Sequence, residues 1–489
     1  MTQLSKIMIL VIKVFPEIIT KSRSVRKNFI GILRRNLRTI LARIDDGITV
    51  QAFWDKIEVS VPEDSPHKQY ILAAVQKIPG IDTVLVVDKF EFDTKEDIEK
   101  IVELNCCERV QNKSFVVRVK RSGKHSFKSL ELERSCGGVL LRNVPTCSVD
   151  LHNPDEMISM EIKDNYVFLI SQRIKGLGGF PLGTQSDVVS LISGGFDSTV
   201  ATYQTIRRGI KAHYLFFSLG GKAHEAGVKQ VSQYIWENYS SSHKVKFITI
   251  PFEEVIGEIL AKVKNSYMGV VLKRMMLRAA TKVAEKMEID ALITGESVAQ
   301  VSSQTIRNLA VIDRVTEKLV LRPIATMDKN DIIDIAREIG TEDFVKNIPE
   351  YCGVISDKPT VKADFAKCDE VEQEFDFSIL DKAIEAANVE SIDKVLSVSD
   401  SKLTSASIVS IPEKGQVIVD LRHPIEEDDK LEFPNNDVIE IPFYAVEKHF
   451  PELDQGKEYL FYCDKGVMSE MHASNLVDAG YRNIRVIKF

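Results

Sequence analysis

The sequence predicts a multidomain α/β protein in which a doubly wound parallel sheet is accompanied by smaller α/β units. Three observations lead there. The chain has 489 residues, which at roughly 100–200 residues per domain allows about three or four domains. From Val188 onward, apolar segments of strand length alternate with helical segments, the pattern of a parallel sheet with crossover helices. A Gly/Pro-rich stretch, Gly176–Gly183, separates this region from an N-terminal part with its own strand and helix pattern, as a domain boundary would. Hydrophobic residues make up 44% and charged residues 28% of the chain, with 25 Gly and 16 Pro, a composition that excludes disorder and collagen. The apolar run Ile7–Ile12 is closed by Lys13, too short for a secretory h-region or a membrane span of about 20 residues. A cytoplasmic protein without membrane contact is expected.

In chain order, Lys6–Val14 reads as a strand and Val25–Ile44 as a helix, its apolar residues recurring at helical spacing. Thr49–Pro62 reads as one strand, His67–Ile78 as a helix and Ile81–Phe92 as a strand, together a small α/β sandwich. A second unit shows a strand Ser114–Arg121, a helix across Ser126–Leu132 and a hairpin Met157–Gln172, whose Asp164-Asn165 pair suits the turn. Beyond the Gly-rich break come strands Val188–Ile192, Ala212–Leu219, Val245–Ile250 and Ala291–Thr294. Helices from Ser198, around Lys229–Tyr239 and across Glu254–Met287 separate them. Asp364–Leu396 is acidic and helical in pattern and reads as a linker. It leads to a last α/β unit with strands near Val417–Asp420, Val438–Ile441, Tyr459–Tyr462 and Ile484–Ile487. The expected divisions are 1–75, 76–175, 176–370, a helical linker 371–402, and 403–489.

Charge is unevenly spread. Residues 1–180 hold 28 Lys+Arg against 23 Asp+Glu, whereas 361–489 hold 14 against 27. Within the basic end, Lys21–Ile40 carries seven cations and no acid, and Gln111–Leu130 carries six, again without an acid. Such concentration suits a nucleic-acid backbone, with affinity falling as salt rises. For any single residue, charge for solubility serves equally well.

The sharpest local signal is Ser193-Gly194-Gly195-Phe196-Asp197-Ser198, where a buried-looking strand turns abruptly into a helix. Paired glycines let the backbone approach a ligand closely. Free amides at the helix start, with the Ser193 and Ser198 hydroxyls beside them, make an anion cradle that fits a phosphate chain. The same residues also suit an ordinary turn and N-cap. A Gly-x4-Gly-Lys-Ser/Thr loop is missing from the sequence, so γ-phosphate transfer of that kind lacks support. Thr294-Gly295-Glu296-Ser297, followed by Gln300 and Gln304, ends a strand on the expected ligand side and suits either contact with a base or ribose or a simple βα turn. Lys273 suits a phosphate contact or a solvated helix face. Lys329 stands at a helix start, where a cation opposes the helix dipole.

Seven cysteines in so long a chain do not read as a secreted disulfide framework. Neither Cys-x-x-Cys nor His-Glu-x-x-His occurs, so no protein-bound transition metal is expected. In Tyr459–Ser469 an apolar strand delivers Cys463 into a short loop before a helix, where converging amides would stabilise a thiolate or persulfide. A buried inert thiol at a strand end fits as well. The position five residues beyond the spacer start is Ser469 rather than Arg, which disfavours phosphate-ester chemistry. Cys352 lies in Pro349–Gly353, a loop-like setting that favours an accessible thiol.

Several of these stretches resemble known families. Ser193–Ser198 resembles the signature of PP-loop ATP pyrophosphatases, which cleave ATP between the α and β phosphates, and the resemblance implies that Asp197 orients Mg²⁺ or pyrophosphate. Phe115–His125 with Ser129–Glu131 looks like a THUMP RNA-binding domain, preceded by its ferredoxin-like partner, and the Cys463 loop resembles rhodanese-like sulfurtransferases. Read in order, with Lys13–Ile19, Tyr351–Pro359 and Cys463–Ser469 as further marks, the whole chain resembles the ThiI family of tRNA 4-thiouridine synthases. That resemblance implies a ferredoxin-like unit, THUMP, a PP-loop domain and a terminal rhodanese-like domain.

The implied chemistry begins with a cysteine desulfurase placing persulfide sulfur on Cys463. ATP then adenylates uridine 8 of tRNA, sulfur replaces the activated oxygen, and Cys352 closes on Cys463 as a disulfide. Leu191, Ile192, Lys273, Gly295 and Gln304, with Ser193, Gly194, Gly195 and Ser198, become ATP contacts, and Lys329 a catalytic helper. A second role, sulfur supply to a thiamine-pathway carrier protein, is implied for the terminal domain. Two other classes fit parts of the pattern: an amidotransferase-type PP-loop synthetase using ammonia, and an RNA-binding protein without sulfur transfer.

Overall fold

The computed structural model describes residues 7–54, 56–62, 65–218, 222–346, 348, 359–396, 407–422, 431, 433, 435–441, 446, 449–463 and 467–488. The chain divides into two units. The first comprises residues 1–185 with 206–210 and 238–243, and the second comprises 186–205, 211–237 and 244–489.

The first unit runs β1 (Ile7–Val14), α1 (Pro16–Ile19), α2 (Arg23–Leu41), β2 (Thr49–Ala52), β3 (Lys56–Val61), α3 (Lys68–Gln76) and β4 (Ile81–Glu91). It continues with α4 (Lys95–Val110), β5 (Ser114–Ser122), α5 (Ser129–Asn143), β6 (Ser148–Val149), β7 (Glu156–Lys163) and β8 (Tyr166–Gly178). Its eight strands form one sheet in the order β2-β3-β1-β4-β8-β7-β5-β6. The middle strand β4 pairs antiparallel with β1 on one side and β8 on the other, so the sheet is continuous across the division expected at 75/76. Along α2, Phe29, Leu33, Leu37 and Leu41 are buried in one stripe, as an amphipathic helix on a sheet requires. The cations Arg23, Lys27, Arg34, Arg35 and Arg38 stay exposed.

Thr49–Pro62 differs from expectation because it is a hairpin. Phe53 N–H donates to the Lys56 carbonyl at 2.8 Å, and apolar alternation persists through both arms, which hides the turn from a periodicity argument. Helix α4 has no counterpart among the expected elements. A reciprocal cap starts it: Asp97 N–H donates to Thr94 Oγ1 at 3.2 Å and Thr94 N–H to Asp97 Oδ2 at 2.8 Å, the arrangement of a capping box. Helix α5 is longer than expected and runs through Gly137-Gly138. The β7–β8 hairpin turns at Asp164, whose φ is +52°.

The second unit begins with β9 (Val188–Leu191), α6 (Phe196–Arg207), β10 (Ala212–Ser218), α7 (Lys222–Ile235), β11 (Lys246–Pro251), α8 (Glu253–Lys262), α9 (Met268–Lys286) and β12 (Ala291–Ile293). After these come α10 (Ile306–Asp313), β13 (Leu319–Leu321), α11 (Lys329–Glu338), α12 (Glu342–Lys346), α13 (Phe365–Gln373), α14 (Phe377–Glu385) and β14 (Asn388–Ser391). The sheet order is β13-β12-β9-β10-β11-β14. All neighbours are parallel except β14, which runs antiparallel to β11. Chain order reverses between β9 and its neighbours β12 and β10, and the crevice beyond their carboxyl ends is where such sheets bind ligands.

The segment expected as a linker, 371–402, is corrected by these contacts as far as Leu396; residues 397–402 lie outside the described part. Cys368, Phe375, Leu380 and Ile384 belong to the same buried cluster as Val271 and Met275 of α9, and β14 closes the sheet edge. Arg274, with a side chain only 2% exposed, donates to Glu372 Oε1 at 2.5 Å, to Asp369 Oδ1 at 2.8 Å and to the Val311 carbonyl at 2.8 Å. Arg278 joins Glu372 at 2.8 Å. Acid-rich helices look like a linker in sequence, yet here Glu372 and Asp369 neutralise the buried Arg274. Glu372→Ala leaves Arg274 buried without its main counter-charge and is expected to destabilise the domain by about 3–5 kcal/mol. Denaturant unfolding of the two proteins measures this, and a loss below about 1 kcal/mol, the range of exposed pairs, would contradict it.

A smaller parallel sheet ends the chain. β15 (Ile408–Val409), β16 (Val417–Asp420), β17 (Val438–Glu440), β18 (Tyr459–Tyr462), α15 (Val467–Asp478) and β19 (Ile484–Ile487) give the order β15-β19-β18-β16-β17. Ile418, Leu460 and Ile487 sit in its core. Among the described residues, no helix is long and apolar enough to cross a membrane.

Candidate active site

At the carboxyl ends of β9, β10 and β12 lies a cavity of about 870 Å³. β9 delivers Leu191 and Ile192 to its rim, and the chain then makes a tight turn into α6. Gly194 takes φ +81°, and a Cβ there would meet both Val228 and Ile348 at 2.9 Å, so glycine is required twice over. The turn is laced by hydroxyls. Ser193 N–H donates to Ser198 Oγ at 3.1 Å, the two serine oxygens are 3.0 Å apart, and Ser198 Oγ donates to the Gly195 carbonyl at 3.2 Å. From the other side, His224 in the first turn of α7 donates Nε2–H to the Ser193 carbonyl at 3.1 Å. Burial holds His224 below the usual imidazole range, which keeps it neutral in this role. Residues 196–198 at the start of α6 therefore border the cavity from a fixed loop, and the first amides of a helix have no partner within the helix.

Gly295 closes the cavity from β12. A Cβ on it would collide with the Ser198 amide and the Asp197 carbonyl carbon, so the strand end packs directly on the start of α6. Next in sequence, Glu296 is 6% exposed. It accepts from Lys273 Nζ at 2.7 Å, from Arg322 Nε at 2.8 Å and from Thr294 Oγ1 at 3.1 Å. Arg322 in turn grips Asp313 with both terminal nitrogens, at 2.8 and 2.6 Å. Burial alone would raise the Glu296 carboxyl, but Lys273 and Arg322 outweigh it and hold it at about 2. The carboxylate stays ionised at any working pH, and Lys273 is presented at the cavity wall on a rigid mount.

Opposite, Lys329 Nζ lies 2.7 Å from Asp197 Oδ1, and Gln300 Nε2 donates to Asp197 Oδ2 at 2.8 Å. The dipole penalty of a lysine at the start of α11 is thus offset by a carboxylate from another helix. Gln304, 7% exposed, lines the same cavity. Its side-chain oxygen is buried and finds no hydrogen-bond partner among the described residues.

The structure brings the expected nucleotide contacts together. Leu191, Ile192, Ser193, Gly195, Asp197, Ser198, Lys273, Gly295, Gln304 and Lys329 all border one cavity, with Gly194 in the turn behind it. Sequence reasoning assigned no role to His224, Glu296, Arg322 or Asp313. Only the fold brings Arg322 to Glu296, across 26 residues, and no local pattern announces that pair.

The two cysteines fare differently. Cys352 lies outside the described residues. Cys463 follows β18 and is 9% exposed. Its sulfur accepts the Ser469 N–H at 3.4 Å and lies 3.4 Å from Ser469 Oγ. The start of α15 thus points a main-chain donor at the sulfur.

Residues 183–377 match the family described as Thiamine biosynthesis protein (ThiI), residues 92–171 match the THUMP domain, and residues 9–84 match the ThiI ferredoxin-like domain. The chain is 51% identical over 482 residues to the tRNA sulfurtransferase of Colwellia psychrerythraea, covering 98% of this chain and 99% of that protein. It is 50% identical over 480 residues to the tRNA sulfurtransferase of Shewanella pealeana, with the same coverage. Among solved structures, it is similar to a 4-thiouridine synthetase–RNA complex with bound ATP, at 26% identity and a TM-score of 0.69, over 79% of this chain and 99% of that one.

Proposed function

Since the chain belongs to the tRNA sulfurtransferase family, we propose that it uses ATP to adenylate uridine 8 of tRNA and replaces the activated oxygen with sulfur carried on Cys463, giving 4-thiouridine. The observation that carries this reading is the convergence on one cavity of a glycine turn at a helix start, two lysines on fixed carboxylate mounts, and a buried acceptor at Gln304. The triphosphate lies on the α6 amides and the Ser193 and Ser198 hydroxyls. Lys273 and Lys329 face its negative charge, and the Gln304 oxygen suits the adenine amino group. Asp197 offers the single carboxylate with which a phosphate-bound Mg²⁺ is commonly held; when bound, the ion would neutralise charge on the departing pyrophosphate.

The uridine O4 displaces pyrophosphate from the α phosphorus, and the lysines stabilise charge that develops in that step. The terminal sulfur of the Cys463 persulfide then attacks C4 and AMP leaves, which gives a mixed disulfide between Cys463 and the base. The Cys352 thiolate attacks the Cys463 sulfur, releasing 4-thiouridine and forming a Cys352–Cys463 disulfide. A dithiol reductant supplies the two electrons that reopen it. Release of sulfide from the persulfide before attack reaches the same product and the same disulfide. Ile348, beside Gly194, precedes Cys352 by four residues, a span of at most about 14 Å of chain.

Cysteine desulfurase is the sulfur source, and the Cys463 loop at the end of β18 supports reading 403–489 as a rhodanese-like domain. Delivery of the same sulfur to a thiamine-pathway carrier protein needs only that domain. The exposed cations of α2 and of Lys113–Lys128 hold the tRNA phosphates, and a tRNA substrate places the enzyme in the cytoplasm. Incubation with ATP, tRNA, cysteine desulfurase and cysteine is expected to produce the near-ultraviolet absorbance of thiolated uridine with one AMP per modified base. AMP and pyrophosphate without that absorbance would turn the assignment toward a nitrogen-transferring synthetase.

A further inference from the structure

Helix α7 lies against the sheet with Val228, Val231 and Ile235 fully buried. A helix flanking a sheet usually leaves its outer side to solvent, yet Gln230 and Tyr234 on the other side of α7 are only 7% and 8% exposed. Tyr234 is covered by the Phe344 ring, 4.8 Å between centroids. Gln230 meets α15: its amide nitrogen lies 3.1 Å from His472 Nε2, and His472 is 3% exposed. An amide N–H only donates, so Nε2 accepts.

Both helices lead to reacting groups. On α7, Gln230 stands six residues from His224, which holds the Ser193 carbonyl of the nucleotide turn, a rise of about 9 Å. On α15, His472 stands three residues from Ser469, whose amide and hydroxyl face the Cys463 sulfur, a rise of about 4.5 Å. One buried polar contact therefore joins the helix that shapes the ATP turn to the helix that shapes the sulfur cradle.

We infer that Gln230 and His472 form the seat on which the sulfur-carrying domain docks for transfer, and that both are positioning residues for that step. The inference rests on the sulfur-transfer reading above.

The test uses the full-length protein, preloaded with persulfide, in single turnover. His472→Ala and Gln230→Ala are each expected to slow 4-thiouridine formation at least tenfold. The double variant should be no slower than either single one, because they remove one contact. Persulfide loading on Cys463, read by mass spectrometry, and pyrophosphate release with ATP and tRNA should match the parent protein. His472→Gln, which restores an acceptor, should recover most of the rate. A short bifunctional thiol reagent should cross-link the Gln230→Cys/His472→Cys double variant between these positions, whose side chains meet at their tips, as mapped by mass spectrometry. Transfer at the parental rate in both alanine variants, loss of loading together with transfer, or no cross-link overturns the proposal. Failure of the sulfur-transfer reading itself shows separately, as thiolation that persists in Cys463→Ser.

Discussion

Cys463→Ser is expected to lower 4-thiouridine formation by at least about 10³-fold, the scale at which removal of a nucleophile is felt, while pyrophosphate release with ATP and tRNA continues. A serine oxygen cannot carry a transferable sulfur atom, so the activated uridine meets only water or free sulfide. The geometry makes the substitution a clean one. Serine fills less space than cysteine at a 9% exposed position, and Ser469 N–H, now 3.4 Å from the sulfur, can donate to the new oxygen. Parallel assays of pyrophosphate and of thiolated base separate the two halves of the reaction. Equal loss of both would mean that Cys463 supports the nucleotide domain rather than the sulfur step. Undiminished thiolation would remove Cys463 from the mechanism.

Asp197→Ala is expected to do the reverse. Pyrophosphate release should fall by about 10²–10³-fold, as when one preorganised charged contact at a transition state is lost, while Cys463 still accepts persulfide and passes it to a sulfur-carrier protein. Asp197 fixes Lys329 at 2.7 Å and Gln300 at 2.8 Å, so the substitution releases a lysine and a glutamine as well as deleting a charge. Asp197→Asn keeps an oxygen for Gln300 but not the charge for Lys329, and should be nearly as inactive. Full recovery in Asp197→Asn would assign the residue a hydrogen-bonding role only. Loss of carrier-protein sulfuration in Asp197→Ala would refute the division of labour between the two sheets of the second unit.

What the sequence made legible follows from how local each signal is. The nucleotide turn is encoded in six consecutive residues, Ser193–Ser198, because a glycine at positive φ and hydroxyls beside a helix start are local requirements. The parallel strands Val188–Leu191, Ala212–Ser218 and Lys246–Pro251 were equally plain, because strands buried on both faces must be apolar throughout. Asn388–Ser391 was not legible: its asparagine, glutamate and serine carry no strand signal, and β14 exists because β11 offers it an edge. Helices α13 and α14 look like a linker in sequence because their acids look solvated until Arg274 and Arg278 are placed opposite Glu372 of α13, and Lys282 opposite Asp381 of α14. At the site, the lysines were found but their mounts were not. Glu296, Arg322 and Asp313 matter through distances that only the folded sheet sets.

The shared strand β4 has a mechanical consequence for the front of the molecule. Because its eleven residues are bonded to β1 along one edge and to β8 along the other, the two basic segments ride on a single plank. Flexing between them would tear a full-length ladder. The span between the two basic segments is therefore set by the ladder itself rather than by a hinge.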